Sequence, residues 1–168
     1  MRRWLVLWAI VSASAAVLST PATATAPSTE VIPIDVSFSP PLLSATCGFR
    51  VTRHVEGTLT IRTFVDASGS FQRELDQYRL VETVSANGRT LVARTIQNIS
   101  TKLRADGTYT VSFVGSDFRL PVPGSGIAFG SVGRFVLLFA ADNTLIDVLQ
   151  DVGDIRNNAS AICGALTA

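Results

Sequence analysis

At 168 residues, 47% of them hydrophobic and 16% charged, the chain has the length of one ordinary domain and is too apolar for a disordered tail. Fourteen basic against thirteen acidic residues leave a formal charge of +1, so no net basic field is available for gripping nucleic acid, and no nucleic-acid partner is expected.

The N-terminus reads as a secretory signal. Arg2 and Arg3 form a positive start, Trp4 to Leu18 an apolar core, and Ala22-Thr23-Ala24 an A-x-A cleavage site, placing the signal at residues 1–24. The apolar run is shorter than the ~20 residues of a spanning helix, so no stable membrane insertion is expected once the signal is removed. The expected location is outside the cell or in its envelope. Residues 25–30 read as a flexible linker, and residues 31–168 as a single β domain.

Strand signals follow in chain order. Ile32, Ile34, Val36 and Phe38 alternate with polar residues and Pro33, which fits an edge strand ended by Ser39-Pro40-Pro41. Phe49 to Glu56 and Thr58 to Val65 alternate next, with Gly57 as punctuation between them. In Phe71 to Ala86, Leu75 sits on one phase and Tyr78, Leu80 and Val84 on the other, which predicts a β-bulge between them. Tyr109, Val111 and Phe113 alternate cleanly, Gly115-Ser116 interrupts, and Phe118, Leu120 and Val122 resume. Phe135 to Ala141 is apolar on both faces and should be the most buried strand. Turn signals separate these runs: Asp66 to Gly69, Asn87-Gly88, Asp106-Gly107, Pro123 to Gly126 and Asp142-Asn143. Asn-Gly and Asp-Gly suit type I′ turns, whose two central residues need positive φ.

At the C-terminus the period changes to that of a helix, with Ile155, Ala159, Ile162 and Leu166 on one face, Asp154 as its cap and Gly164 as its stop. The expected fold is all-β: an antiparallel meander of about eight strands with a short C-terminal helix, a barrel in preference to a sandwich. Cys47 and Cys163, near opposite ends of an exported domain, are expected to bridge, stapling that helix to the first core strand. Chain entropy makes such a bridge worth up to ~4–5 kcal/mol.

Cys47-Gly48-Phe49, the run Gly57 to Phe64 and the late Cys163 resemble small secreted β-rich proteins of actinomycete-like bacteria, over residues 47 to 165. The resemblance implies a secreted β domain and carries over no catalytic or binding residue. In architecture alone the meander resembles calycin or allene-oxide-cyclase-type barrels, and fold analogy does not license function.

The chemistry on offer is sparse. His54, the single histidine, lies on a polar phase between Thr52 and Glu56, and no G-x-S-x-G elbow accompanies it, so no catalytic residue is assigned. One histidine and two bridged cysteines leave no common zinc set, and Asp142, Asp147, Asp151 and Asp154 do not follow EF-hand spacing, so no metal site is expected. No phosphate-binding glycine motif opens a helix, and no cofactor is expected.

Arg53, Arg94 and Arg134 each share a strand phase with apolar neighbours. An inward arginine must be paired or wet, and in a hollow interior it would anchor the carboxylate of an apolar ligand. Glu82 and Asp147 are the alternative partners, and strand ends open to water a third outcome. The functional expectation is a secreted, non-catalytic protein that binds an apolar or anionic small molecule or a cell-envelope partner. A small cyclase-type barrel enzyme would instead show a pocket with a perturbed carboxylate beside Tyr78 or Tyr109. A purely structural or interaction domain would show no pocket.

Overall fold

The computed structural model describes residues 26–167, and the expected signal segment, residues 1–24, lies outside the described residues. Seven strands, β1 (Ser28–Phe38), β2 (Thr52–Val65), β3 (Phe71–Ala86), β4 (Arg89–Leu103), β5 (Tyr109–Val122), β6 (Gly126–Phe139) and β7 (Leu145–Asn157), form one sheet in chain order. Every neighbouring pair is antiparallel. Two short helices, α1 (Pro41–Cys47) and α2 (Ala159–Leu166), lie against one end of one face.

The all-β meander and its C-terminal helix match the sequence reading, but the closed barrel and the eighth strand do not appear. β1 and β7 are the two edges of an open sheet. Gly57 and Gly115, read as interruptions, lie inside β2 and β5 with φ of 143° and 126°, a region open to glycine that lets a strand bend without ending. The expected linker is shorter too, since residues 28–30 already pair with Thr63, Arg62 and Ile61.

A line of glycines crosses the sheet. Gly115, Gly133 and Gly153 stand in register on β5, β6 and β7. A Cβ on Gly133 would come within 2.3 Å of the Val152 carbonyl oxygen, so the backbones there approach more closely than any side chain permits. On one side of this line is the end covered by the helices, and on the other an end with no second layer among the described residues.

At the covered end, Val51, just before β2, and Val84, Leu91 and Leu120 of the sheet meet Ile162 and Leu166 from α2. Full burial of side chains of this size is worth ~1.5–3 kcal/mol each. Pro41 opens α1, where its missing N–H costs nothing, and Gly48 closes it in the left-handed conformation at φ 73°. The helix expected from Ile155 begins later: Asn158 caps α2 by accepting from the Ala161 N–H at 3.1 Å. Ile155 is an exposed residue of β7, Asp154 pairs with Arg156, and Gly164 lies within α2. The disulfide Cys47–Cys163 is formed with a Cα–Cα distance of 5.0 Å. Because Cys47 ends α1, the bridge joins helix to helix rather than helix to strand.

Two further expectations change at the open end. Phe135 to Phe139 is half-buried, because neither helix among the described residues is laid over it. β3 pairs with β4 without a register shift, so Leu75 simply occupies the opposite face from Tyr78. The phase change falls instead in β5, where a bulge at Asp117 and Phe118 turns Phe118, Leu120 and Val122 toward the helices. Of the expected type I′ turns, Asn87-Gly88 has both φ positive, at 50° and 74°, whereas at Asp106-Gly107 only the glycine does.

Candidate binding site

The covered end is organised around one buried carboxylate. Glu82 of β3 is 1% exposed and faces the helices. Arg53 of β2 donates to its Oε2 from Nε at 2.7 Å and from a terminal guanidinium nitrogen as well. The Thr95 hydroxyl of β4 donates to Oε1 at 2.7 Å. The same Thr95 oxygen accepts from the Phe118 backbone N–H at 2.8 Å, which holds a non-glycine residue at φ 44° in the β5 bulge. A bare buried carboxylate would cost several kcal/mol, so this fully partnered arrangement is what makes Glu82 tolerable there. The guanidinium of Arg53 also lies over the Phe118 ring, 4.1 Å from its centroid, with the Phe38 ring at 5.6 Å.

Above this network is a cleft of 350 Å³ between α1, α2 and the sheet. Its walls include Leu43, Val84, Phe118, Phe129 and Ile162, with Arg53 on one side and Leu42, 84% exposed, at the mouth. Volume and apolar lining fall at the small end of what ligand sites show. The disulfide fixes the two helical walls to each other, so the opening is braced covalently. Arg53 is the candidate anion anchor here, but Glu82 already matches its charge.

Arg94 and Arg134 do not join Arg53. Both are exposed on the opposite face, where Arg94 stands directly across from Arg119. Of the two carboxylates considered as partners, Glu82 takes Arg53, while Asp147 bonds its neighbouring backbone N–H at Val148. His54 exchanges a 2.9 Å hydrogen bond with Ser37, and Asp35 and Glu56 lie 3.8 and 3.7 Å from its ring nitrogens. Among the described residues, no group of three or more His, Cys, Asp or Glu is arranged to hold a metal ion.

Sequence reasoning passed over Asp76. It shares its face with Tyr78 and stands opposite Ile61 and Ile99, and its Oδ1 is buried without a hydrogen-bond partner among the described residues. Burial, then the nearby charge of Glu74, raises its pKa above the usual carboxylate value; burial first, then Asp76 and Glu74, does the same for Tyr78. The signal was in the alternation, since Asp76 falls on the phase of Tyr78 and Leu80. A perturbed carboxylate beside Tyr78 is therefore present, but it lines neither the cleft nor the depressions on the other face. No protein-family model, curated protein or solved structure matches the chain, so the chemistry of this cleft stands on its own geometry.

Proposed function

We propose that the chain is an exported, non-catalytic binding domain that holds a small apolar ligand between its two helices and the sheet. The observation that carries the reading is the 350 Å³ cleft, with Phe118, Phe129, Leu43 and Ile162 around it and a disulfide bracing its walls. Export is supported by the signal-like residues 1–24 and by the bridged cysteines, which belong to oxidising surroundings. Arg53 orients a polar end at most weakly, because its charge is cancelled within the wall.

Calorimetric titration with a matched pair of probes, decanol and decanoate, tests this. Both bind, with affinities within about threefold of each other, since a neutralised guanidinium offers little extra to a carboxylate. Ala159→Phe, which fills the cleft from the first turn of α2, weakens both by at least about tenfold with the melting temperature kept. Failure of wild type to bind either probe, or equal binding by Ala159→Phe, overturns the reading. A preference for decanoate above about tenfold would instead make Arg53 a working anion anchor.

A further inference from the structure

The face of the sheet opposite the helices presents a different chemistry. Alternation and register assign its central positions: Arg73 to Ser85 at odd numbers in β3, Thr90 to Lys102 at even numbers in β4, and their partners on β5 and β6. These positions include six cations, Arg73, Arg79, Arg94, Lys102, Arg119 and Arg134, and no carboxylate. The whole chain is almost charge-balanced, so the excess is one of placement.

Two pairs sit directly opposite each other, Arg73 with Lys102 and Arg94 with Arg119. Like charges in such positions destabilise a sheet. None of the six belongs to an ion pair among the described residues, and all six are exposed. Two carboxylates border the group: Glu56 of β2 at the rim of the depression that holds Arg79 and Arg94, and Asp154 of β7, already paired with Arg156, at the rim of the one that holds Arg119. The repulsion that these two carboxylates leave in place is relieved when an anionic surface is laid against the face.

The residues between the cations indicate which anion. Exposed Val92, Ile96, Val114 and Val132 are interleaved with them, Ile96 being 61% exposed. No aromatic ring occurs among these β3–β6 positions, and Phe64 of β2, at the flank of the face, already has the Arg73 guanidinium 5.6 Å from its ring centroid, so a row of stacking platforms of the kind that single-stranded nucleic acids use is missing. Arginines with short aliphatic side chains between them suit the interfacial zone of a bilayer, where anionic headgroups meet the first methylenes. We infer that this face docks peripherally on a membrane surface rich in anionic lipid. The docking is independent of the cleft and of its ligand.

The test is vesicle sedimentation of the full chain with phosphatidylcholine alone and with added phosphatidylglycerol. Residues 4 to 18 are themselves apolar, so every variant keeps the same N-terminus. The chain binds the anionic vesicles in preference to the neutral ones, and added salt reduces the difference. Combining Arg79→Gln, Arg94→Gln and Arg119→Gln weakens that binding on the order of a hundredfold. Arg50→Gln, Arg89→Gln and Arg104→Gln together remove as much charge from elsewhere and leave it within about threefold. Ile96→Ser weakens it further in either background, which a soluble polyanion would not require. Circular dichroism and melting confirm that both triple variants fold. Equal binding to both vesicle types, equal loss in the two triples, or arginine-dependent self-association without vesicle binding overturns the inference.

Discussion

Glu82 and Asp76 occupy the same face of the same strand and meet opposite conditions. At the covered end, Glu82 is sealed beneath the helices and every oxygen is partnered, by Arg53 and by Thr95. At the open end, Asp76 lies between Ile61 and Ile99 with Oδ1 buried and, among the described residues, unpartnered. The helices account for the difference. A second layer excludes water from Glu82 and brings enough side chains together to satisfy what it buries. A bent single layer excludes water only in part and supplies no partner.

The largest effect expected from breaking this contrast comes from Glu82→Ala. It strands the Arg53 guanidinium and the Thr95 hydroxyl and costs ~3–5 kcal/mol, read as a lower urea midpoint with an unchanged slope. A loss below ~1 kcal/mol would mean that the network is not a stabilising feature of the covered end.

Gly133→Ala probes the boundary between the ends. Its φ of 146° is strained for any residue with a Cβ, and the added carbon meets the Val152 carbonyl at 2.3 Å. A cost of at least ~1–3 kcal/mol follows, seen as a lower melting temperature. An unaltered melt would show that the sheet can bend there without the close approach.

Asp76→Asn has the smallest effect and the opposite sign. A carboxyl whose folded pKa is raised favours the folded state fully below its unfolded value, near 3.8, and loses that contribution as pH rises through the folded pKa. Asparagine stays uncharged throughout, so the variant gains stability at pH 7 and nothing at low pH, read as a melting temperature raised only at the higher pH. The turn residues Asp66, Asp106 and Asp142 behave the other way. Hydrogen bonds hold their pKa values down: from the Ser68 hydroxyl first for Asp66, the Thr108 hydroxyl first for Asp106, and the Thr144 backbone first for Asp142. Their contribution is present above ~3.8 and lost as pH falls through the folded values. If Asp76→Asn gains as much at low pH as at pH 7, burial of charge is not what distinguishes the open end.

Local chemistry was legible where local chemistry decides. The strand runs follow period two, and Asn87-Gly88 makes the turn that its two positive φ values allow, whereas the bulge expected in Phe71 to Ala86 lies in β5 beside Phe118. Other features depend on what lies beside a residue in space. Gly57 and Gly115 read as breaks because glycine usually punctuates, and here they continue strands that approach a neighbour closely. β7 carries Asp147, Asp151 and Asp154 and was obscured by its charge, which an edge strand tolerates because one side faces water. In the candidate site, Arg53 and Glu82 were both singled out, but nothing in their spacing showed that their charges cancel. Arg94 and Arg134 were grouped with Arg53 by apolar phase alone, which does not say which face of a sheet is covered.

Alternation, turn residues and cysteine placement by themselves determined an antiparallel meander with a C-terminal helix and a bridge from residue 47 to residue 163. These are short-range properties of the chain, or a pairing with no competitor. Tertiary structure decided that the sheet stays open, that helix is tied to helix, and that one face holds an apolar cleft while the other gathers six cations that form no ion pair among the described residues. The physical reason is that period two divides each strand into two faces without labelling them. Only the packing of α1 and α2 against one of the two makes it an interior and leaves the other to solvent.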